Sequence, residues 1–531
     1  MFKIALTPEQ VLVSGDSESL EWLSDYLALY PKNVYFTLKY HVANCNICRR
    51  RLAYSGKKGW WCNNCRSYRK GWDGSERFFN RRTNSFSTGL WPHVKRALKD
   101  QDKPYKIIKD LRKSLDPVEA VSFATEALYQ DQIIALNKWL KWGGRGIVWC
   151  APGFGKTELA MGAIKTLMDR GLIKNALFVC SGLDAVTQTT ERMKKQLPDY
   201  KSIKITNIQA LARSLKNREI AFIQYLQDLD FLIIDECHHQ RASEFRKLVA
   251  LYRGKYRLGI SASPFHEYQT NIHAMRSDDG VVLRFLGPVV SRYSASTLIE
   301  KDRLAKPIIF LYPLPVDKIQ MPLFPTWHLS KRMLLTENHS MHNVIARFVK
   351  TAAEAEEQSL VVAGGIKKLA FNVWKALDRR DVNAKFLHGS IDKQYRNWTR
   401  KKLIKGEIDA ICATTIYDEA VDLPNLRLLA LAYGGLSSIK LEQRIGRDLR
   451  RKQGQNIAVI LDFVCTTNKH LKKHSYARLK HYLAERAFEF KLVGNHSQHV
   501  RNLFKDRAEF IDELPGVEFF RELKANGDSR T

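Results

Sequence analysis

Short apolar runs alternate with amphipathic stretches along most of the chain. A first series of runs covers residues 146–149, 176–179, 231–234 and 257–260. A second series covers residues 359–363, 384–387, 408–412, 428–431 and 457–461. Apolar runs of this length, separated by helical patterns, are typical of parallel strands that helices cover on both faces. The pattern therefore predicts two tandem α/β units, each built on a parallel sheet.

The chain before these units has a different pattern. Phe2–Leu6 and Val11–Val13 are expected to be strands. Asp16 or Ser17 is expected to cap a helix that Pro31 ends. These elements predict a small α+β domain at the start of the chain.

The chain between and after the two α/β units also differs. Residues 306–325 contain several prolines and predict a linker, and the chain becomes helical and basic after Phe463. We therefore expect an N-terminal DNA-binding domain, two α/β domains and a helical basic extension, at residues 1–117, 118–305, 306–465 and 466–531.

The net charge of the chain is strongly positive. Its 531 residues include 86 Lys and Arg against 55 Asp and Glu, which gives a formal net charge of +31. Such an excess predicts a polyanionic partner, either nucleic acid or an anionic membrane surface. Hydrophobic residues make up 45% of the chain, which is enough for several cores without disulfides.

Membrane and secretion signals are not found in the sequence. No apolar run reaches the roughly 18 residues of a transmembrane helix, and the start lacks the apolar stretch of a signal peptide. The nine cysteines are then expected to be intracellular thiols or metal ligands. We expect a cytoplasmic protein, a monomer or weak oligomer, with no membrane partner.

A glycine-rich segment, Ala-Pro-Gly-Phe-Gly-Lys-Thr, follows the first apolar run. Gly153 and Gly155 allow backbone N–H groups to surround a phosphate, and the next helix adds positive potential at its start. Lys156 is expected to reach the β- and γ-phosphates of ATP, and the Thr157 hydroxyl to bind Mg²⁺. Cys150 stands where this pattern has a small residue, and a glycine-rich turn without a ligand is the alternative.

Two adjacent carboxylates follow the apolar run Phe231–Ile234. Ligands of α/β sheets bind at the carboxyl ends of strands, where Asp235 would hold Mg²⁺. Glu236 would orient or deprotonate the attacking water. Alone, the two acids are more typical of a solvated strand end, but after a phosphate-binding loop they indicate a nucleotidase.

Four arginines cluster near the end of the second α/β unit, within residues 441–451. Arginines brought from a second domain neutralise charge on a transferring phosphoryl group. The alternative is a solvated basic helix.

Four cysteines form two Cys-x-x-Cys pairs, and they are Cys45, Cys48, Cys62 and Cys65. This spacing suits a tetrahedral Zn²⁺ site, which is structural when four sulfurs close it. Free thiols or a redox pair are the alternatives. The other cysteines stand singly and are expected to be buried, inert thiols, and they are Cys150, Cys180, Cys237, Cys412 and Cys465.

Basic and aromatic residues surround the predicted zinc module, which spans about residues 40–70. Trp60 and Trp61 either stack on exposed bases or form the small core of the module. The neighbouring Lys and Arg are expected to contact phosphates. A later helix is expected either to contact nucleic acid or to present a solvated face, through Lys472, Lys473 and Arg478.

The ordered motifs resemble those of superfamily 2 DExH helicases and translocases. Asp-Glu-Cys-His at 235–238 follows the phosphate loop, and Gln-Arg-Ile-Gly-Arg-Asp-Leu-Arg at 443–450 lies in the second α/β unit. The resemblance covers about residues 125–465. It implies two RecA-like domains with ATP and Mg²⁺ between them, and a cleft that closes with ATP and relaxes after hydrolysis.

The resemblance also implies roles for single residues. Tyr129–Gln130 resembles the motif in which a glutamine contacts adenine, so Gln130 is expected to bind the base. Arg447 and Arg450 correspond to the arginine fingers, and Gln443 corresponds to a residue that faces the γ-phosphate.

Shorter motifs of the same family occur in the same order. Residues 206–211 resemble a strand-contacting motif, and residues 261–264 resemble the Ser-Ala-Thr coupling motif with Ser263 in place of Thr. Residues 413–415 and 419–424, which include Asp422, resemble a motif that touches both nucleic acid and nucleotide, although Ala420 replaces its usual glycine.

The N-terminal region resembles the small domain of phage branch-migration helicases of the UvsW type. The resemblance rests on residues 71–74, 78–79 and 88–90. It implies that forks, displaced loops and four-way junctions of DNA are substrates, in recombination, repair or replication, within the cytoplasm of a bacterial host.

Three other functions remain open at this point. An RNA helicase, or the motor subunit of a restriction or defence complex, would share every ATPase motif. A zinc protein without enzymatic activity would use the motor fold as a clamp, but intact Lys156, Asp235, Glu236 and Arg447 argue against it.

Overall fold

The structure is a computed structural model of the chain. It describes residues 1–30, 75–217, 219–237, 247–248, 251–265, 275–316, 325–414, 426–432 and 455–525, and the strand backbone at 53–54, 60–62 and 67–69. The chain forms two compact units. The first contains Met1–Trp149 and Lys156–Arg292, and the second contains Cys150–Gly155 and Tyr293–Thr531.

A four-stranded sheet begins the first unit. Its strands are β1 (Phe2–Leu6), β2 (Gln10–Ser14), β8 (Ser85–Ser87) and β9 (Tyr105–Asp110), in the order β8-β2-β1-β9. Strand β1 is antiparallel to β2 and parallel to β9. The two strands predicted at the start of the chain are confirmed, because alternate apolar residues of each are buried.

Helix α1 (Ser17–Tyr26) follows β2. Asp16 caps it, as the sequence predicts, because its carboxylate accepts the N–H of Ser19 at 2.8 Å. The helix ends at Tyr26 and not at Pro31, since the chain next forms β3 (Ala28–Leu29). Strand β3 pairs antiparallel with β7 (Glu76–Arg77).

Three short strands lie between β3 and β7 in the sequence. They are β4 (Ala53–Tyr54), β5 (Trp60–Cys62) and β6 (Ser67–Arg69), and they form an antiparallel sheet. Cys62 therefore stands at the end of a strand, paired with Ser67.

A six-stranded sheet forms the centre of the first unit. Its strands are β10 (Arg145–Cys150), β11 (Ala176–Cys180), β12 (Ile203–Asn207), β13 (Phe231–Asp235), β14 (Tyr256–Ser261) and β15 (Val289–Tyr293). Their order is β12-β11-β13-β14-β10-β15, and β10 to β14 pair in parallel. The four strands predicted here are confirmed.

Helices lie between and beside the strands in the described part of the first unit. After α1 they are α2 (Trp91–Asp100), α3 (Gln130–Lys141), α4 (Lys156–Asp169), α5 (Leu183–Gln196), α6 (Ile208–Asn217), α7 (Ile220–Gln227) and α8 (Ser277–Leu286). Helix α4 follows β10, and α5 follows β11, as expected for parallel strands.

One hydrophobic core joins the N-terminal sheet to the six-stranded sheet. Phe2 and Ile4 of β1 belong to the same buried cluster as Ile234 of β13 and Leu286 of α8. The described residues of the segment 1–117, which the sequence separates as a domain, therefore share a core with the first parallel sheet.

The backbone before α2 also approaches α8 closely. A Cβ atom on Gly89 would lie 2.0 Å from the carbonyl oxygen of Leu283. The Thr88 hydroxyl donates to the carbonyl of Thr7 at 2.9 Å, so the same turn is also attached to the N-terminal sheet. Only glycine fits this contact without a shift of the backbone.

The second unit contains an eight-stranded parallel sheet. Its strands are β16 (Lys306–Pro313), β17 (Gln358–Val362), β18 (Ala384–Leu387), β19 (Ala410–Ala413), β20 (Leu426–Leu431), β21 (Ile457–Val464), β22 (Glu489–Val493) and β23 (Ala508–Ile511). Their order is β18-β19-β17-β20-β21-β16-β22-β23. The five strands predicted in the second series are confirmed.

The described helices of the second unit lie between and after these strands. They are α9 (Ala295–Ile299), α10 (Trp327–Lys331), α11 (His339–Glu354), α12 (Lys367–Asp378), α13 (Lys393–Ile404), α14 (Lys469–Leu483), α15 (Gln498–Leu503) and α16 (Val517–Ala525).

The predicted linker at 306–325 is wrong in its first part. Strand β16 lies between β21 and β22 in the sheet. Pro307 is tolerated because the ladder to β22 begins only at Ile308, while the N–H of Lys306 donates to the carbonyl of Asn456 on the other side. The apolar run after Pro307 therefore outweighs the proline as a signal.

The extension after Phe463 differs from the helical prediction. It contains α14, α15 and α16, but also β22 and β23, which extend the sheet beyond β16. Phe490 and Leu492 of β22 alternate with partly exposed residues, the pattern of a short strand with one well-buried face.

Arg478 on α14 corrects a second prediction. Its guanidinium is buried and forms an ion pair with Asp462 of β21, whose carboxylate also accepts from the Tyr482 hydroxyl. Burial with a charged partner excludes both nucleic-acid contact and a solvated position for this arginine. Lys472 and Lys473 on the same helix are exposed.

The two parallel sheets with their helices are RecA-like domains, as predicted. A small α+β region precedes them in the sequence, also as predicted. No helix in the described ranges is long and apolar enough to span a bilayer.

Gly89→Ala tests the close contact between the N-terminal turn and α8. We expect the free energy of unfolding to fall by about 1–3 kcal/mol, because the added methyl group forces the two backbones apart. Urea denaturation followed by circular dichroism measures this. The control is Gly516→Ala, where a Cβ would meet no atom within 4 Å, and the same free energy should change little. Equal stability of the two variants would contradict the contact.

Candidate active site

The segment between β10 and α4 is a tight loop. Gly153 and Gly155 have positive φ angles of 85° and 84°, a region that other residues adopt only with strain. The loop ends at Lys156, the first residue of α4, and Thr157 follows in the first helical turn. The predicted strand–loop–helix is therefore present, with both glycines where the backbone needs them.

The loop residues 150–155 are held by residues of their own unit, the second. Arg303 donates to the carbonyl of Phe154 at 2.8 Å, and the N–H of Ala151 donates to the carbonyl of Tyr293 at 2.9 Å. The buried ring of Phe154 stacks on that of Tyr293 with centroids 4.6 Å apart. The role of Arg303 was not predicted, because nothing in the sequence around it distinguishes it from other basic residues.

Glu236 connects the loop lysine to the next strand of the sheet. Its carboxylate forms an ion pair with the Lys156 ammonium, and the two side chains are 13% and 17% exposed. The Ser261 hydroxyl at the end of β14 donates to the second carboxylate oxygen at 3.1 Å. The acid is therefore held from two sides, and Ser261 belongs to the predicted coupling motif.

The backbone at Glu236 is unusual for a residue with a side chain. Its φ is 48°, in the left-handed region. Its N–H donates to the Asp235 carboxylate at 3.0 Å. Regular strand geometry would place these two successive side chains on opposite faces. The turn at the end of β13 instead brings both carboxylates close to Lys156.

Asp235 is partly buried, and its pKa reflects this. Burial raises the pKa of Asp235 to about 6; the charge of Lys156 lowers it, and that of Glu236 raises it. A divalent cation would favour the ionised carboxylate. Asp235 and Thr157 provide hard oxygen donors, which suit Mg²⁺.

The other described motif residues have distinct environments. Gln130 is the first residue of α3 and is exposed, as is Tyr129, which caps the helix. Asn207 caps α6 by accepting the N–H of Ala210 at 2.8 Å. The N–H of Thr414 donates to the carbonyl of Leu387 at 3.2 Å.

Several predicted site residues lie outside the described residues. They are Gln443, Arg447, Arg450, Asp422, Cys45, Cys48, Cys65 and the side chain of Cys62. The structure brings together Lys156, Asp235 and Glu236 of the predicted set.

The single cysteines are buried, as the sequence predicts. Burial raises the pKa of Cys180 to about 12 and also raises that of Cys237 and Cys412. A thiol that stays protonated is neither a nucleophile nor a metal ligand.

Comparison with known proteins gives two family matches. Residues 125–266 match the model described as type III restriction enzyme, res subunit, and residues 340–452 match the helicase conserved C-terminal domain. The first match contains the phosphate loop, Asp235, Glu236 and Ser261.

Individual proteins match over longer spans. The DNA 3'-5' translocase XPB2 of Sulfurisphaera tokodaii is 26% identical, over 62% of this chain and 80% of its own length. L396 of Acanthamoeba polyphaga mimivirus, which is named as an ATP-dependent RNA helicase, is 22% identical over 77% and 79%. The crystal structure of T4 UvsW is similar with a TM-score of 0.41 and 15% identity, over 92% of this chain and 99% of that one.

The fold and the site define a nucleoside triphosphatase built from RecA-like domains. A phosphate-binding loop, a lysine and two carboxylates stand at the carboxyl end of a parallel sheet. With the two family matches, the chain is an ATP-hydrolysing enzyme of helicase superfamily 2.

Glu236→Gln tests the role of the held carboxylate. We expect the kcat of ATP hydrolysis to fall by about 100-fold or more, because glutamine keeps the shape but cannot accept a proton from water. ATP affinity should change only a few-fold. Steady-state ATPase assays and nucleotide titration measure the two effects.

Glu191→Gln, at an exposed position on α5, is the matched control and should hydrolyse ATP at the normal rate. Hydrolysis by Glu236→Gln at that same rate would contradict the assignment.

Proposed function

We propose that the protein is an ATP-driven DNA translocase that remodels branched DNA by branch migration. The observation that carries the proposal is the Glu236 carboxylate, held between Lys156 of the phosphate loop and Ser261 of the coupling motif. A hydrolytic acid in contact with both motifs is the arrangement that a nucleotide-driven motor requires.

The nucleotide site works through residues of the described loop and strands. Bound Mg²⁺ would neutralise charge on the phosphates. Lys156 exchanges its contact with Glu236 for the β- and γ-phosphates, and N–H groups at the start of α4 face the same anion. The exchange frees the Glu236 carboxylate to orient and deprotonate the attacking water.

Ser261 is the residue that couples ATP hydrolysis at Glu236 to the rest of the unit. Its hydroxyl donates to Glu236 and accepts the N–H of Ser263 at 3.1 Å. A change at Glu236 therefore alters a hydrogen bond at the end of β14. We propose that this link relates the state of the nucleotide to the chain that follows β14.

The proposed site also includes residues that lie outside the described part of the chain. The motif resemblance assigns Arg447 and Arg450 to the transferring phosphoryl group, Gln443 to the γ-phosphate and Asp422 to nucleotide contact. Gln130, exposed at the start of α3, is accessible to an adenine base. Removal of either arginine should lower kcat more than ATP affinity.

The net charge of the chain and the names of its relatives support DNA as the nucleic acid on which it moves. A net charge of +31 suits a partner whose phosphates dominate binding, and affinity should then fall steeply with salt. The relative from Sulfurisphaera tokodaii carries a DNA translocase name. Branched DNA is proposed because the N-terminal motifs resemble those of UvsW-type enzymes.

RNA remodelling and a restriction motor are the competing functions. A relative with an RNA helicase name and a family model named for restriction enzymes favour them. The test is the ATPase rate with matched oligonucleotides: single-stranded DNA, duplex DNA, a four-way junction, and single- and double-stranded RNA. We expect the strongest stimulation, with strand dissociation, on the junction. Stimulation mainly by RNA would overturn the DNA assignment.

Lys156→Ala tests the nucleotide site separately from DNA binding. ATPase activity should fall to background because the phosphates lose their cation, while DNA binding should persist. Filter binding and phosphate release measure the two. Lys174→Ala, at an exposed position on the same unit, is the control and should retain both activities. Hydrolysis that survives in the purified Lys156→Ala protein would overturn the site assignment.

We further propose that Cys45, Cys48, Cys62 and Cys65 hold one Zn²⁺ in an N-terminal DNA-binding domain. Their spacing and four-sulfur donor set support this, as does the position of Cys62 at the end of β5 in an antiparallel sheet.

Cys62→Ser should lose bound zinc and destabilise the N-terminal region. Elemental analysis of the purified protein should fall from about one zinc per chain to well below one. Cys465→Ser removes a single buried thiol elsewhere and should keep its zinc. Unchanged zinc content in Cys62→Ser would contradict the ligand set.

A further inference from the structure

A polar cleft lies between the N-terminal sheet and the six-stranded sheet of the first unit. Its volume is about 520 Å³. Among the residues that the structure describes, its charged lining consists of one glutamate, Glu9, and the arginines Arg77, Arg145, Arg253, Arg257 and Arg284. So large an excess of guanidinium groups in one concave site is suited to an anion.

Two of these arginines are buried side by side. Arg145 begins β10 and is paired in the parallel ladder with Arg257 of β14. The two residues are 7% and 6% exposed. Like charges on adjacent strands repel, and burial removes the water that would screen them. A structure that places them here needs nearby negative charge.

The described chain supplies one carboxylate for this pair. Glu9 accepts from Arg145 at 3.1 Å and lies 3.8 Å from Arg257, and its own side chain is 62% exposed. Burial lowers the pKa of both arginines, and with the charge of Arg145 it brings that of Arg257 to about 10. The pair is therefore only partly neutralised.

Packing holds Arg257 in a fixed orientation. Its guanidinium lies over the rings of Tyr252 and Phe285, 5.0 and 4.7 Å from their centroids, and donates to the Phe285 carbonyl at 2.9 Å. Its Nε is buried without a hydrogen-bond partner within the described structure. This donor is ordered and still has hydrogen-bonding capacity.

The entrance of the cleft carries two further arginines. Arg253 and Arg284 are exposed, and neither side chain has an ion-pair partner in the part of the chain that the structure describes. They extend the positive charge from the buried pair to the surface. Arg77 differs, because it pairs with Asp25 at 3.0 Å.

The cleft is separate from the nucleotide site. Arg257 stands near the start of β14, and Ser261 ends the same strand, so the cleft is at the amino end of the sheet. The phosphate loop, Asp235 and Glu236 follow the carboxyl ends of their strands. An anion bound at Arg257 therefore occupies a second location on the first unit.

We propose that this arginine cleft binds a phosphodiester group of the nucleic-acid strand, as a second contact in addition to those of the motor motifs. The inference rests on the proposed function, because it assigns the anion to the nucleic-acid backbone. The open entrance with two exposed arginines suits a chain that passes through the cleft, and the net charge of +31 suits the same polyanion.

The test is the double variant Arg253→Ala/Arg284→Ala in the full chain. Fluorescence anisotropy with labelled duplex DNA and with a four-way junction, over a series of salt concentrations, gives Kd and its salt dependence. We expect Kd to rise roughly tenfold at low salt, and the slope of log Kd against log salt to fall by about 1 to 2, one unit for each lost phosphate contact. ATPase without DNA and the urea midpoint should be unchanged, since both side chains are exposed.

Two matched variants separate the cleft from general charge. Arg347→Ala/Arg379→Ala removes two exposed arginines from α11 and the end of α12, with the same loss of net charge, and should change Kd less than twofold. Arg253→Lys/Arg284→Lys keeps the charge and should restore most of the affinity. Equal loss in the cleft variant and in the Arg347 and Arg379 control would overturn the proposal.

A further arm distinguishes a free anion from the nucleic-acid backbone. Inorganic phosphate and pyrophosphate are titrated by calorimetry into the wild type and the double variant. Binding of these anions that depends on the two arginines, with unchanged DNA affinity, would overturn the backbone assignment. If the wild type binds no nucleic acid at all, the proposed function itself fails; normal DNA binding by both proteins overturns the cleft alone.

Discussion

Parallel pairing of β10, β14 and β13 is the constraint on which the active site depends. Parallel strands end at the same edge, so Lys156 beyond β10, Ser261 at the end of β14 and Asp235 at the end of β13 lie close together although they are distant in sequence. Apolar burial fixes this register. A slip of one residue would exchange the side chains on the two covered faces of a strand, disrupt their packing, and separate Glu236 from both Lys156 and Ser261. Catalytic geometry is therefore a consequence of core packing.

The contact between Lys156 and Glu236 also sets a requirement for catalysis. Both groups are largely buried, so the loss of either would remove the ion-pair partner of the other. A triphosphate can replace the carboxylate as partner of the lysine, whereas a neutral molecule cannot. The ion pair thereby favours polyanionic ligands in this loop, and Ser261 still orients the acid when the lysine has moved.

Much of the fold could be predicted because its signals are local. Each predicted strand in the two parallel sheets is an apolar run long enough to be covered on both faces. Strand β16 was missed because Pro307 usually ends a strand, and only its pairing shows that the missing N–H is not needed there. Strands β22 and β23 were missed because basic residues between them obscured a short alternation.

The site residues also fall into those that the sequence predicts and those that only the structure reveals. Lys156, Asp235 and Glu236 follow strands and could be identified from spacing alone. Arg303 supports the phosphate loop through one carbonyl and has no local signature. Gly89 belongs to the motif at 88–90, but the backbone that requires a glycine there is far away in sequence. Arg145 and Arg257 each begin an apolar run. That repetition is a weak signal of two cations on neighbouring strands, but only the order of the strands reveals that they are paired.

The pairing of β3 with β7 has a consequence for the length of the segment that lies between these two strands. Leu29 and Glu76 are register partners, so the backbone on either side of residues 31–74 is closed by a two-residue ladder on the first unit. The entropy of closing a loop grows only with the logarithm of its length, by about 0.6 kcal/mol for each doubling. A site closed in this way accepts a segment of almost any length at small loss of stability. Extra sequence can therefore be gained or exchanged there while the ATPase, which depends on other strands, keeps its geometry.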